Sequence, residues 1–344
     1  MIETAGSREP AAATRFDVLG MGNAIVDIVA HAPDALVEEL GLARGAMALV
    51  DEDRSAFLYG RLGQAREVSG GSCANTIAAV AALGGSGAYI GRVRDDQLGR
   101  VFTHDIRAAG VTFRSAPSPT GPSTATSMIF VTPDGQRTMN TYLGACVELG
   151  PEDVDEELVA GASITYLEGY LWDRPEAKAA CRKAAAICHG AGNRLALTLS
   201  DAFCVDRWRA EFRELVEREV DILFANEAEL ASLYEVGTFD EALREVRRHV
   251  QLAALTRGPR GSVIVRGDED IHVVDAAPIG RLVDTTGAGD LYAAGFLRGL
   301  TMGLDLPDCG RLGSLCAAEI IQQYGARPEH PLLPLLERVA AAGA

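Results

Sequence analysis

Alternation is the feature of this chain that most limits what it can fold into. Short, nearly unbroken apolar runs at 16–20, 88–91, 164–168, 195–199, 222–225, 253–256 and 262–266 have the length and content of strands. Helical patterns lie between many of them, at 73–83, 97–109, 175–189, 207–217, 227–234 and 240–250. A strand that is apolar on both faces needs cover on both faces, so this order predicts a mostly parallel sheet in a three-layer α/β/α body. Two stretches break the rhythm, 25–51 and 111–143. The second holds strand candidates at 124–131 and 137–141 around Pro133-Asp134-Gly135, and Asp-Gly between strand patterns is a hairpin signal. Both stretches read as antiparallel β, which predicts a small β-sheet projecting from the body. The expected division is a discontinuous body of 15–24, 52–110 and 144–330, a β lid of 25–51 and 111–143, and a frayed tail of 1–14. That tail is small and polar, unlike a secretory leader.

The stretch richest in chemistry is Asp284-Thr285-Thr286-Gly287-Ala288-Gly289-Asp290, which runs directly into the apolar Leu291-Tyr292-Ala293-Ala294-Gly295-Phe296-Leu297. Arg281-Leu282-Val283 before it reads as a strand and the run after it as a helix. A helix start is an anion site, because its first N–H groups are unpaired and the macrodipole is positive there. A carboxylate in such a place, Asp290, is out of keeping unless it does chemistry. An anion hole beside a base is what transfer of a phosphoryl group to a hydroxyl requires.

Composition removes competing classes. The chain has 344 residues with 48% hydrophobic and 23% charged, as in soluble globular proteins. No apolar stretch approaches the roughly 20 residues of a membrane helix, so no membrane association is expected. Seven cysteines without a C-x-x-C pair and six unclustered histidines point to a reduced, cytoplasmic protein with no zinc site. A net charge of −16 argues against a nucleic-acid partner. Only Lys178 and Lys183 are present, and neither a G-x-x-x-x-G-K-[ST] loop nor a V-A-I-K strand occurs, which excludes P-loop and protein-kinase machinery.

Four further groupings have polar residues where ligands are held. In Gly20-Met21-Gly22-Asn23-Ala24-Ile25-Val26-Asp27 the dinucleotide pattern fails at Ile25; Asn23 and Asp27 either serve a turn or pair with vicinal hydroxyls. Gly70-Gly71-Ser72-Cys73-Ala74-Asn75 opens a helix, with Ser72 a candidate N-cap and the glycines allowing a ligand close to the backbone. Asn226-Glu227-Ala228-Glu229 follows a strand, as a helix cap or as a holder of Mg²⁺ waters. Thr256-Arg257-Gly258-Pro259-Arg260-Gly261-Ser262 is a tight turn that either only links strands or carries nucleotide phosphates. Arg137 is either a surface residue or a clamp on the transferred phosphate.

In this order, from about Phe16 to Pro328, the motifs resemble the ribokinase-like (phosphofructokinase-B type) family of carbohydrate and nucleoside kinases. D-T-T-G-A-G-D followed by a small-residue helix is highly specific to that family, and G-G-S-x-x-N and N-E-x-E support it. Gly20-Met21-Gly22-Asn23, Asp27, Gly169-Tyr170, Leu199-Ser200-Asp201-Ala202-Phe203 and Asp221–Glu227 look most like adenosine kinases. The resemblance implies a ribokinase-like body with a small lid that closes over the sugar and excludes water. It implies ATP and Mg²⁺ as cofactors, with K⁺ used by many relatives. It makes Asp290 the base and the N–H groups of Gly287, Ala288 and Gly289 the anion hole, with Arg137 closing over the phosphate. Asn23, Asp27, Gly70, Gly71 and Asn75 would hold sugar hydroxyls, and Tyr170 and Phe203 would face the nucleoside base. Asn226 and Glu229 would organise Mg²⁺ through water, Thr256, Gly258 and Gly261 would line the ATP site, and Asp284 and Thr285 would hold a monovalent cation. The implied acceptor is the 5′-hydroxyl of adenosine, with a plain sugar, inosine or guanosine as alternatives and a non-catalytic nucleotide-binding protein as a further one. Trp172, Asp173, Met139, Thr141 and Tyr142 depart from adenosine kinases and leave the base open. Monomer and homodimer are both compatible with the sequence.

Overall fold

A computed structural model of the chain describes residues 16–267 and 270–342; the expected tail of 1–14 lies outside the described residues. Among the described residues fourteen strands run in order β1 (Phe16–Met21), β2 (Ile25–His31), β3 (Met47–Leu49), β4 (Ala65–Gly70), β5 (Gly87–Ile90), β6 (Thr112–Phe113), β7 (Ala125–Val131), β8 (Arg137–Tyr142), β9 (Ala162–Glu168), β10 (Arg194–Thr198), β11 (Ile222–Asn226), β12 (Leu252–Thr256), β13 (Ser262–Arg266) and β14 (Asp270–Val274). Nine form one sheet in the order β14-β13-β12-β11-β10-β9-β1-β5-β6. It is parallel from β12 to β6 and ends in two antiparallel strands, β13 and β14.

Successive side chains of a strand point to opposite faces, so each central strand feeds two cores. Val18 of β1 packs with the helices Ser72–Ala82, Ala288–Met302 and Leu306–Ile320. Leu19 and Met21 pack with Pro175–Gly190, Ala202–Arg218 and Glu227–Tyr234 on the other side. This is the ribokinase-like three-layer arrangement with a mostly parallel sheet. Its strands run with their C-terminal ends along one edge, where open α/β sheets bind ligands.

A second sheet has the order β3-β8-β7-β2-β4. The hairpin β7–β8 is antiparallel about Pro133-Asp134-Gly135, and Asp134 Oδ1 holds the turn by accepting from Thr132 Oγ1 at 2.6 Å and Gln136 N at 3.2 Å. Three expectations need correction. The small sheet is mixed, because β2 pairs parallel with β7 and β3 parallel with β8. It recruits β4, from the segment assigned to the body, as the antiparallel partner of β2. Residues 281–283 are not a strand: Val283 N donates to Ile321 O at 2.8 Å in an irregular crossing, and the last strand is β14.

Candidate active site

The anion-hole motif is shaped by Asp284. Its Oδ1 accepts from Thr286 N at 3.0 Å and Thr286 Oγ1 at 2.7 Å, and its Oδ2 accepts from Gly325 N at 2.9 Å. The turn so formed delivers Gly287 at φ 79°, a left-handed conformation that suits glycine, and the helix Ala288–Met302 starts on it. A Cβ on Gly287 would meet Ala326 Cβ at 2.7 Å, which also keeps this position bare. Thr285, Thr286, Gly287, Ala288, Gly289 and Asp290 together wall a cavity of about 390 Å³.

Asp290 sits in the first turn of that helix. Ser72 Oγ donates to its Oδ1 at 2.6 Å, and Asn75 Nδ2 donates to its Oδ2 at 3.1 Å. Burial pushes its pKa up, and the hydrogen bonds from Ser72 and Asn75 and the charge of Arg327 offset only part of that. A carboxylate made more basic by burial is a better match to an alcohol proton than an exposed one.

Asp27, Gly71, Ser72 and Asn75 line the same cavity as Asp290. Burial pushes Asp27 up to about 6 against the charges of Arg137 and Arg327. Gly70 lies directly behind its carboxyl, where a Cβ would come within 2.5 Å of Asp27 Oδ2. Asn75 spends its amide on Asp290 and leaves its buried Oδ1 without a partner, an acceptor ready for a hydroxyl. Ser72 is not the cap expected of it: Gly71 occupies that position, and the Ser72 hydroxyl serves Asp290. Asn23 lies one wall away, in a second cavity of about 530 Å³ that meets the first at Thr141 and Tyr170.

Tyr170 stands at that junction, with Leu49, Tyr142, Leu143 and Leu171 beyond it. Phe203 is not there. Asp201 caps the helix Ala202–Arg218 by accepting from Cys204 N at 2.6 Å, which turns Cys204 inward and Phe203 outward. Phe203 is 69% exposed, under the Arg207 guanidinium at 4.4 Å. Trp172 is core, with its ring tilted against Phe212, and Asp173 edges the second cavity.

On the opposite side of the first cavity Asn226 and Glu229 form a reciprocal cap. Glu229 N donates to Asn226 Oδ1 at 3.0 Å, and Asn226 N and Nδ2 donate to the Glu229 carboxylate at 3.0 and 2.5 Å. Burial pushes Glu229 up to about 7. Both Glu229 oxygens already accept from Asn226, and among the described residues no group of three or more His, Cys, Asp or Glu could hold a metal directly, so Mg²⁺ here would be held through its waters, most of which it keeps. Thr256 lines the same cavity, whereas Gly258 and Gly261 lie in a short turn away from it.

A monovalent cation does not fit at Asp284. Both carboxylate oxygens are taken, and the guanidinium of Arg137 pairs with Oδ2 in a contact with both side chains buried. Burial raises the Asp284 pKa, but hydrogen bonds from Gly325 and Thr286 and the charge of Arg137 outweigh it and hold the carboxyl below its usual range. Arg137 is thus tied to Asp284 and lines, in place of the first cavity, a neighbouring one with Asp27 and Arg327.

Three residues at the site escaped sequence reading. Arg327 is buried with Nε and Nη2 on Ser69 O and Oγ at 3.1 and 3.0 Å, facing Asp27 and Asp290; burial pulls it down to about 10. Ser200 lines the cavity at φ 72°, strained for a non-glycine residue, with its hydroxyl buried and unpartnered. Glu168 lies under Asn23. A charged residue ending an apolar strand reads as a surface terminus, and only the third dimension shows it buried.

The pfkB family carbohydrate kinase profile matches residues 47–332. The chain is similar to the crystal structure of an adenosine kinase from Sinorhizobium meliloti, at 54% identity and a TM-score of 0.87 over 96% of this chain and all of that one. It is also similar to a probable sugar kinase from Rhizobium etli CFN 42, at 52% identity and a TM-score of 0.88 over 96% of this chain and 99% of that one. An ATP-dependent ribose-1-phosphate kinase of Halopiger xanaduensis is 32% identical over 80% of this chain and 86% of its own. Helix-start anion hole, buried carboxylate, profile and neighbours agree: the chain belongs to the pfkB family of carbohydrate kinases, enzymes that move phosphate onto a sugar or nucleoside hydroxyl.

Proposed function

We propose that the chain phosphorylates the 5′-hydroxyl of a nucleoside, adenosine foremost, with ATP as donor, giving AMP and ADP. The observation that carries this reading is the second cavity. A plain sugar would fill the polar cavity around Asp27, Asn75 and Asp290, yet that cavity adjoins, at Thr141 and Tyr170, a second one walled by Leu49, Tyr142, Leu143 and Leu171. A largely apolar second cavity next to hydroxyl acceptors suits a base attached to a ribose.

In the proposed reaction the hydroxyl oxygen forms a bond to the γ-phosphorus as the bond to the ADP oxygen breaks. Asp290, held by Ser72 and Asn75, orients the hydroxyl and takes its proton late, along a loose transition state. Backbone N–H groups of Gly287, Ala288 and Gly289 receive the developing charge on the phosphoryl oxygens. Asp27 and the free Asn75 Oδ1 accept from ribose hydroxyls. Asn226 and Glu229 are the residues that would hold Mg²⁺ through water, and the ion would there supply neutralisation of phosphate charge. The five-stranded sheet acts as the lid that excludes water. Among the described residues no helix is long and apolar enough to cross a membrane, and we place the activity in the cytoplasm as part of purine salvage.

An ATP-coupled assay across adenosine, inosine, guanosine, ribose, ribose 1-phosphate and fructose 6-phosphate tests this. The highest kcat/KM is expected for adenosine. Turnover confined to the three sugars would overturn the nucleoside reading.

A further inference from the structure

Glu168 ends β9 and is 1% exposed. Its Oε1 accepts from Asn23 N at 3.2 Å and Asn23 Nδ2 at 2.9 Å, and its Oε2 accepts from Cys73 N at 2.9 Å. One carboxylate thus ties the β1–β2 turn to the first turn of the helix Ser72–Ala82. The chain makes room for it: a Cβ on Gly22 would lie 2.5 Å from Glu168 Oε2. An ionised carboxylate only accepts, so Asn23 must turn its amide nitrogen inward and its Oδ1 away from Glu168, on the wall of the second cavity.

We infer that Glu168 is a positioning residue for acceptor binding: its carboxylate fixes Asn23 so that the cavity presents a hydrogen-bond acceptor to a donor group of the phosphoryl acceptor. The inference rests on the reading of this cavity as the acceptor site. It gives the cavity a dependence on proton concentration. Burial pushes Glu168 up to about 7, against hydrogen bonds from Cys73 and Asn23 and with a push from Asp290. Protonation puts an O–H on an oxygen that accepts from Asn23 or on the one that accepts from Cys73 N, so one of the ties that hold Asn23 in place is lost as pH falls through that value.

The groups facing Glu168 do not mask this. Cys73 on its helix, Tyr89 on β5, Cys146 in the turn after β8, Cys181 on the helix Pro175–Gly190, Cys204 on the helix Ala202–Arg218 and Tyr170 in the turn after β9 all have pKa values raised by burial and stay neutral across the assay range. Asp290 acts on kcat. Asp27 titrates near 6, and Arg137 and Arg327 face Asp27. The Asp27 inflection persists when Glu168 is replaced.

The test is Glu168→Gln, assayed from about pH 5.5 to 9 with whichever acceptor the substrate panel identifies, so that failure of the adenosine reading and failure of this inference are separate results. In the wild type, the acceptor KM is expected to rise as pH falls below about 7. The variant should show an acceptor KM raised about tenfold above pH 7, the cost of one misdirected hydrogen bond, with the inflection near 7 gone and kcat and the ATP KM little changed. Asn23→Ala, which leaves the carboxylate in place, should raise the same KM and lose the same inflection, and the double variant should be no worse than either single one. A wild-type acceptor KM in both variants, a KM–pH profile unchanged by them, or parallel loss of kcat and both KM values would overturn the inference.

Discussion

Asp290 acquires its chemistry from its neighbours more than from its own type. Ser72 and Asn75, both from the first turn of one helix, aim the carboxylate of another, and burial makes it a stronger base. Asp290→Asn is expected to lower kcat by at least about 10², the usual size of a general-base term, with fold and nucleoside binding kept; a variant with near-normal kcat would remove Asp290 from its role. Ser72→Ala separates aim from basicity. The Ser72 hydrogen bond lowers the Asp290 pKa, so its loss raises it, and the acid limb of the kcat–pH profile should move to higher pH. An unmoved limb would mean that Ser72 does not act through Asp290. The motif Asp284–Asp290 was legible from sequence because glycines and a carboxylate crowd one helix start. Glu168, Arg327 and the hydroxyl of Ser72 were not, since each matters only through residues 95 to 258 positions away that folding brings near.

Elements were legible where periodicity was long and illegible where pairing decided. β9 to β13 were recognisable because each is apolar on both faces. β4, Ala65-Arg66-Glu67-Val68-Ser69-Gly70, has one large apolar residue and exists because β2 offers it an edge. The parallel pairings of β2 with β7 and β3 with β8 are long-range, so the hairpin signal, right for β7 and β8, could not give their sense. β8 carries the chief consequence at this scale. Its first residue, Arg137, is paired with Asp284 of the anion-hole turn, so a tethered guanidinium supplies the countercharge that a monovalent ion would otherwise bring. Activity is therefore expected to change by less than about twofold when KCl is replaced by choline chloride at constant ionic strength, so that screening is unchanged. Arg137→Gln leaves Asp284 buried and unpaired, which should lower thermal stability and make both stability and kcat respond to K⁺. A wild type that requires K⁺ would sink this account.

At the scale of the whole molecule, the site stores acidic groups in a fold that is already acidic, with a net charge of −16. The five-stranded sheet brings Asp27, the α/β body brings Glu168, Glu229 and Asp290, and the first cavity is lined from both sheets. Closure of the five-stranded sheet over an acceptor should appear in small-angle scattering as a smaller radius of gyration with nucleoside than without; an unchanged radius would count against a closing lid. Stability follows from the same crowding. Burial raises Asp27 to about 6 and Glu168 and Glu229 to about 7. Carboxyl groups in the unfolded chain titrate near 4, so over the interval between the folded protein binds more protons than the unfolded chain. Their contribution is fully present below about pH 4 and is lost as pH rises through about 6 to 7, the opposite of an acid-labile salt bridge. Asp284, held low, works in the other direction, but its loss comes only at acid pH below the range considered. The ligand-free protein should accordingly have a Tm several degrees lower at about pH 8.5 than at about pH 5.5, since each pKa unit corresponds to about 1.4 kcal/mol and a kcal/mol to a few degrees in a chain of this size. Glu168→Gln should remove part of that slope, and Mg²⁺ with ATP should recover Tm most at the alkaline end, where Glu229 is ionised. A Tm that is flat or rises across this range, measured by calorimetry in buffers of matched ionic strength, would show that these carboxyl groups are not destabilised as their burial requires.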